Sequence, residues 1–256
     1  KAAKAAAPAE TKPALGIPSA TSATRGRPPI IARQLPNGVR VLVCPVEGHP
    51  SVSIQMVMRG GLSVESEKDA GISSFMARML VKGTAKREAA DIAAAIDAMG
   101  ADIKTDAGRN AIYLSARCLP EDFEKTFDLA TDCLLRPSFP QDEVERMREL
   151  SLAELAHMAD SPHGEAQLYF HRVFFLDSPY CFPVLGTPDV VKGLTRERLQ
   201  DWHRRYVASN NLVVAIFGGV DLVKAVNLVG AAFDALPPSK DLAFPKDVPP
   251  REVKGR

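Results

Sequence analysis

The sequence has few cysteines, almost no net charge and no long apolar run, and each shortage excludes a class of protein. Its 256 residues include four cysteines that form no CxxC pair, which excludes a zinc ribbon and argues against a disulfide framework in so long a chain. Its 32 Lys and Arg residues balance 31 Asp and Glu residues, so no general attraction to nucleic acid or an anionic membrane is expected. No run approaches the roughly 20 apolar residues of a membrane-spanning helix. With 46% apolar residues, the chain has the composition of a globular protein.

The two ends of the chain differ in composition from the part between them. Residues 1–29 are rich in Ala, Pro, Ser and Thr and hold almost no large apolar side chain, so we expect a disordered tether. Residues 241–256 are proline-rich and are expected to form a linker, which leaves 30–240 as the folded domain. A tether suits a position after another folded unit or after a membrane anchor. It therefore favours the bacterial periplasm or a membrane-tethered site, although the sequence leaves the localisation open.

Hydrophobic periodicity and turn residues predict the elements of the folded part. An Asn37-Gly38 turn between two β-rich runs indicates a hairpin, and strict alternation over 51–58 indicates a third strand. Strands and helices do not alternate along the chain. This order predicts an α+β fold with a mixed, largely antiparallel sheet covered by helices. Strands are predicted at 30–35, 39–45, 51–58, 101–107, 111–118 and 211–219, and helices at 69–81, 86–99, 120–135, 141–159, from 162, 195–206 and 222–236.

Several separated blocks resemble one known family. PNGVRVLV, then Gly60-Gly61, then GISSFMARMLVKGT resemble the pitrilysin/insulinase family of zinc metallopeptidases, which includes the mitochondrial processing peptidases. In that family the last block contains the inverted motif HxxEH. Its two histidines lie on one helical face and bind zinc, and its glutamate activates the metal-bound water. The blocks at 139–162 and 185–221 are similar to later segments of the family, so the resemblance covers almost all of 30–240.

Position by position, the resemblance implies that the catalytic chemistry is lost. Ser74 and Arg78 stand where the family has its two histidine ligands, and Ala77 stands at the catalytic glutamate. Glu154 is the only ligand position retained, and Met147 replaces a supporting glutamate. Ala77 offers no base and Arg78 offers a fixed positive charge without a lone pair, so we expect neither a catalytic residue nor a bound metal here. We expect Arg78 and Glu154 to form an ion pair instead, within about 4 Å.

The resemblance implies a non-catalytic metallopeptidase-family domain, the N-terminal half of a subunit. Such a domain pairs with an active zinc-bearing half or subunit, as in a heterodimer, and helps enclose a peptide substrate. Its own second half would follow the linker, and zinc is expected in the active partner rather than in this chain. Two alternatives stay open: a zinc metalloendopeptidase with a rebuilt site that uses Glu154 with His157 or another nearby histidine, and a purely structural assembly subunit of the same fold. No nucleic acid is expected as a partner.

One aromatic cluster lies outside the motif. Its spacing favours packing in the core or between domains over a role in a ligand pocket. It comprises Tyr169, Phe170, Phe174, Phe175, Tyr180 and Phe182.

Overall fold

A computed structural model describes residues 28–244 except Asp177. Residues 1–27 of the expected tether and 245–256 of the expected linker therefore lie outside the described residues. The strands are β1 (Ile31–Gln34), β2 (Arg40–Pro45), β3 (Val52–Arg59), β4 (Asp102–Ala107), β5 (Ala111–Cys118) and β6 (Leu212–Gly218). The helices are α1 (Ile72–Met79), α2 (Ala89–Ala98), α3 (Phe123–Leu135), α4 (Gln141–Asp160), α5 (Pro162–Phe174), α6 (Pro188–Lys192), α7 (Arg196–Tyr206) and α8 (Leu222–Phe233).

The six strands form one mixed sheet in the order β1-β2-β6-β3-β5-β4. Only β2 and β6 run parallel, with Val43 opposite Ile216, and every other pair is antiparallel. The predicted fold class, a largely antiparallel sheet covered by helices, is confirmed. The last strand in the sequence thus lies between β2 and β3, and its neighbours on both sides come from the first 60 residues of the chain.

The sheet buries one face, and the alternation of β3 shows why. Its residues Val52, Ile54, Met56 and Met58 are fully buried, while the residues between them are half-buried or exposed. Because successive side chains of a strand point to opposite faces, this alternation gives the sheet one apolar face for helices to cover. Helices α1, α3 and α8 contact the strands directly.

Helix α1 carries the candidate site and contacts both the sheet and other helices. It contacts the strands β4 and β5 and packs against the helices α4 and α7, while α5 packs onto α4. Seven of its eight residues are buried, and Arg78 alone is not. No helix among the residues that the structure describes is long and apolar enough to cross a membrane.

The structure differs from the predicted elements at two places near α1. Helix α1 begins at Ile72 instead of 69, because Gly71 has a φ of 94° and ends the preceding turn. A short helix, α6, also stands between α5 and α7 where no helix was predicted. It has five residues, too few for helical periodicity to show in the sequence. Arg148 of α4 donates hydrogen bonds to the last two carbonyl oxygens of α6, those of Val191 at 3.1 Å and Lys192 at 2.7 Å.

Candidate functional site

The N-terminus of α1 is fixed by contact between two glycines. A Cβ atom on Gly71 would lie 2.5 Å from the Cα of Gly186, and one on Gly186 would lie 2.2 Å from the carbonyl oxygen of Ala70. Both glycines have a positive φ, 94° and 89°, a conformation that residues with a Cβ rarely adopt. The loop before α6 is therefore in direct backbone contact with the start of α1, with no room for a side chain between them.

A buried carboxylate completes the anchoring of α1. Glu65 is only 3% exposed, and its two oxygens accept hydrogen bonds from the backbone N–H groups of Gly71 at 2.7 Å and Ser73 at 3.0 Å. The Ser73 hydroxyl in turn accepts a hydrogen bond from the indole N–H of Trp202 in α7 at 3.0 Å. Glu65 thus supplies acceptors that the N-cap residue, a glycine, cannot provide.

Burial raises the pKa of Glu65. Removal from water disfavours the charged carboxylate, and this effect exceeds the opposing effect of the hydrogen bonds from Gly71 and Ser73. The buried Glu65 carboxylate accepts hydrogen bonds from N–H groups at the helix end that have no partner within the helix, and its negative charge complements the helix dipole.

The C-terminal half of α1 meets α4 through Arg78 and Glu154. Arg78 Nη1 donates to Glu154 Oε2 at 2.8 Å, and Nη2 donates to Oε1 at 2.7 Å, so the two planar groups meet in a bidentate pair. Nη1 also lies 3.4 Å from the hydroxyl oxygen of Ser151, one turn earlier on α4. The side chains are 20% and 36% exposed, which places the pair at the edge of the domain, in partial contact with solvent.

The other positions that the resemblance assigns to the inverted motif and to its supporting glutamate face the interior. Ser74 is 2% exposed and Ala77 is fully buried within α1, and Met147 of α4 is 5% exposed. Ser74 and Arg78 are four residues apart and so share one face of the helix. This face of α1 therefore presents a hydroxyl and a guanidinium. It offers neither an imidazole nor a carboxylate to act together with Glu154.

The donor set of this site does not fit a zinc ion. Both oxygens of Glu154 already accept hydrogen bonds from a permanently charged guanidinium, and that cation would repel Zn²⁺. Structural and catalytic zinc sites use at least three side-chain ligands. Within 28–176 and 178–244, no three His, Cys, Asp or Glu side chains stand close enough together to hold a metal.

The histidines do not gather around Glu154. His157, the residue considered for a rebuilt metal site, is exposed on α4. His203 is half-buried, with Nε2 at 2.7 Å from the carbonyl oxygen of Leu134, and His49 contacts the carbonyl oxygen of Ser51 at 2.8 Å. His171 lies 2.9 Å from the Arg109 guanidinium, and burial together with that positive charge lowers the pKa of His171.

Sequence reasoning missed Glu65, Ser151 and Trp202. Glu65 carried a usable signal, because a carboxylate stands shortly before a helix whose N-cap residue is glycine and has no capping side chain. Ser151 lies one turn before Glu154, and that spacing also could have marked it. Trp202 carried no such signal, since its partner Ser73 is 129 residues away.

Known families and proteins resemble the chain over nearly all of its described length. Residues 40–187 match the family pattern "Insulinase (Peptidase family M16)", and residues 193–256 match "Peptidase M16 inactive domain". An uncharacterized zinc protease of Mycobacterium leprae is 32% identical over 222 residues, which are 87% of this chain and 49% of that protein. The β subunit of the mitochondrial-processing peptidase of Caenorhabditis elegans is 25% identical over 230 residues, 89% of this chain and 50% of the subunit.

Solved structures share the fold at lower sequence identity. A peptidase M16 inactive domain structure from Pseudomonas fluorescens superposes with a TM-score of 0.79 at 23% identity, over 85% of this chain and 53% of that one. A protease from Helicobacter pylori gives a TM-score of 0.79 at 19% identity, over 86% and 53%. The first half of the periplasmic protease PqqL from Escherichia coli gives 0.74 at 17% identity, over 84% and 48%. The chain spans about half the length of the curated relatives it matches.

Proposed function

Because the chain belongs to the insulinase family of peptidases, family M16, we propose that this non-catalytic M16-family domain pairs with an active zinc-bearing half and helps enclose a peptide substrate. Ser74, Ala77 and Arg78 occupy the motif positions of the family and supply neither its ligands nor its base. Zinc and the activated water then belong to the partner half. This chain contributes a wall of the enclosure.

One observation carries the proposal, the bidentate pair between Arg78 and Glu154. It joins α1 and α4, the two helices that would have to supply the ligands of a metal in the family arrangement. A guanidinium there satisfies the retained carboxylate and holds the two helices together without an ion. In this proposal the site retains the helix arrangement of the family but lacks its metal ligands and its catalytic base.

Pairing is supported by the lengths of the relatives. This chain corresponds to about half of each curated relative and to about a quarter of the whole periplasmic protease PqqL. Proteins of this family therefore contain more than one unit of this size. A unit without its own metal site is useful to a peptidase when it positions substrate for a unit that has one.

The test is metal analysis of the purified chain together with a peptidase assay. We expect that after incubation with zinc and gel filtration the chain retains far less than one zinc ion per molecule and leaves peptides intact. Stoichiometric zinc accompanied by peptide cleavage would overturn the proposal in favour of a rebuilt metal site. Zinc without cleavage would still contradict the assignment of Arg78 as the replacement for the metal.

A further inference from the structure

The side chain of Asn37, in the turn between β1 and β2, holds the C-terminal end of α8. Its Nδ2 group donates hydrogen bonds to the carbonyl oxygens of Phe233, at 2.6 Å, and Leu236, at 3.4 Å. Phe233 is the last residue of α8, so its carbonyl oxygen has no partner within the helix. We call these two contacts the amide clamp. The clamp links the first hairpin to a helix end that lies 196 residues later in the chain.

The groups around Asn37 require an amide at this position. The backbone N–H of Val39 donates to Asn37 Oδ1 at 3.3 Å, whereas both partners of Nδ2 are carbonyl oxygens. A carboxylate would accept the hydrogen bond from Val39 but has no proton to donate to Phe233 or Leu236. It would also bring a negative charge to the C-terminal end of a helix, where the helix dipole is itself negative. An aspartate in place of Asn37 would therefore lose the amide clamp and be repelled from the end of α8.

Asn37 is followed by Gly38, and this pair of residues can react without an enzyme. The backbone nitrogen of Gly38 loses its proton and attacks Cγ of Asn37, because a glycine has no Cβ to obstruct the approach. A new N–Cγ bond closes a succinimide ring, the Cγ–Nδ2 bond breaks, and Nδ2 leaves with the proton as ammonia. Water then opens the ring at Cγ to give aspartate, or at the backbone carbonyl to give isoaspartate. One amide and one water thus become one carboxylic acid and one ammonia, with no oxidant or reductant.

The fold restrains this reaction at both nitrogens that take part in it. The N–H of Gly38 donates to the carbonyl oxygen of Leu35 at 2.9 Å, so removal of its proton costs this hydrogen bond. The departing Nδ2 is held by Phe233 and Leu236. Conversion in the folded chain therefore requires a local opening at the end of α8. Since the product cannot form the amide clamp again, each conversion makes the opening permanent.

The chain that follows α8 is fixed to the domain beside the amide clamp. Ser209 donates its backbone N–H to the carbonyl oxygen of Pro237 at 3.1 Å. Asn210 and Ser239 exchange two hydrogen bonds, of 2.9 and 3.1 Å. A Cβ atom on Gly38 would lie 3.6 Å from the Cα of Asn210, so the turn that carries the clamp adjoins these contacts. Loss of the clamp would therefore loosen the chain where it leaves α8.

We propose that Asn37 is a modification site at which the chain converts its own amide to an aspartyl or isoaspartyl carboxylate, and that this conversion releases the C-terminal end of α8. The amide clamp sets the rate, because conversion takes place only while the clamp is open. The inference goes beyond the proposed function and does not depend on it, since neither Arg78 nor Glu154 takes part.

The first test measures the conversion by peptide mapping with mass spectrometry. The purified chain and a peptide with the sequence of 33–41 are incubated side by side in mildly alkaline buffer. We expect conversion at Asn37 in both, slower in the chain by about ten- to a hundredfold, because only the open population reacts. Equal rates would overturn the restraint by the amide clamp. A chain that stays unmodified for about a hundred half-lives of the peptide would overturn the modification site.

The second test measures the release by hydrogen exchange with mass spectrometry. Asn37→Asp should speed the exchange of the backbone amides in the last turn of α8 by at least about tenfold. The matched control is Asn227→Asp, because Asn227 is exposed on α8 and the substitution changes the charge by the same amount. In the control that turn should exchange as it does in the parent chain. Equal exchange in the two variants would overturn the release.

The modified parent chain makes the test independent of the folding of a variant. Ion exchange separates it from the unmodified chain by its additional negative charge, and it was folded before it was converted. The last turn of α8 in this form should exchange as fast as in Asn37→Asp. A modified chain that exchanges as the unmodified chain does would overturn the release, even where Asn37→Asp fails to fold.

Discussion

Arg78 and Glu154 are joined by two parallel hydrogen bonds of 2.8 and 2.7 Å across the junction of α1 and α4. The arrangement lets one cation with fixed geometry connect α1 and α4, the two helices on which the resemblance places the ligand positions of the family. Since a guanidinium cannot be deprotonated under ordinary conditions, the connection does not depend on metal supply.

The first prediction concerns the strength of this connection. Glu154→Gln should lower the free energy of unfolding by about 1 kcal/mol, because the pair is partly exposed and solvent screens it. In the double variant Arg78→Met/Glu154→Gln the loss should be smaller than the sum of the two single losses, since neither partner is left unpaired. Urea denaturation followed by circular dichroism measures the free energy of unfolding of the two single variants and of the double variant.

The matched control is the ion pair of Lys104 and Asp102, whose side chains are 74% and 57% exposed. Lys104→Met should change the free energy of unfolding by less than about 0.5 kcal/mol. Equal losses at the two pairs would mean that the junction of α1 and α4 gains nothing from Arg78.

The second prediction is a gain of metal binding. The triple variant Ser74→His/Ala77→Glu/Arg78→His restores the inverted motif, and Glu154 then completes three ligands. We expect one zinc ion per chain by mass spectrometry of metal content. Adding Glu154→Gln to the triple variant should weaken the zinc affinity by at least about tenfold, because a ligand is removed. If the triple variant binds no zinc although it is folded, the assignment of residues to motif positions is wrong.

The third prediction separates backbone strain from steric contact at the start of α1. Gly71→Ala and Gly100→Ala both force alanine into a positive φ, but a Cβ at Gly100 would meet nothing within 4 Å. Gly100→Ala should therefore cost about 1 kcal/mol, and Gly71→Ala should cost about 1 to 3 kcal/mol more because Gly186 must move. Thermal unfolding of the two variants gives the difference. Equal losses would contradict the close contact of Gly71 with Gly186.

The fourth prediction is a pH dependence that originates at Glu65. Burial raises the pKa of this carboxyl in the folded chain above its ordinary value of 4.5. The folded state then binds the proton more tightly, so the contribution of Glu65 to stability falls as the pH rises from 4.5 through the folded pKa and is constant above it. The free energy of unfolding of the parent chain minus that of Glu65→Gln should decline over this window. A flat difference for Glu65→Gln would place the carboxyl in contact with water and contradict its burial.

Local patterns predicted most of the fold. The alternation over 51–58, the Asn37-Gly38 turn and the apolar spacing of the long helices each depend on neighbours in the sequence, and all correspond to elements in the structure. The mixed sheet followed from the order of these elements. The short helix α6 was missed because five residues do not complete two turns.

Contacts between distant residues were harder to predict. Gly71 and Gly186 are in contact although 115 residues separate them, and Ser73 and Trp202 are hydrogen-bonded across 129 residues. A single sequence contains no local pattern that pairs residues so far apart. The aromatic residues of α5 were expected in a core or between domains, because composition shows that rings cluster without showing which face of the helix is covered. The structure shows that α4 packs against α5 and leaves Tyr169 and Phe174 exposed, which the sequence alone does not indicate.

The central place of β6 has a consequence for biosynthesis. Until Leu212 and the residues after it leave the ribosome, these strands can form at most two separate ladders, β1–β2 and β3–β5–β4, because β6 joins them in the folded sheet. Completion of the sheet must wait for more than four fifths of this chain, and the pairing of Val43 with Ile216 closes a loop of over 170 residues. Such long-range closure is slow and leaves strand edges open to other chains in the meantime. Chaperone demand during translation should therefore depend on the late synthesis of β6 and not on the site formed by α1 and α4.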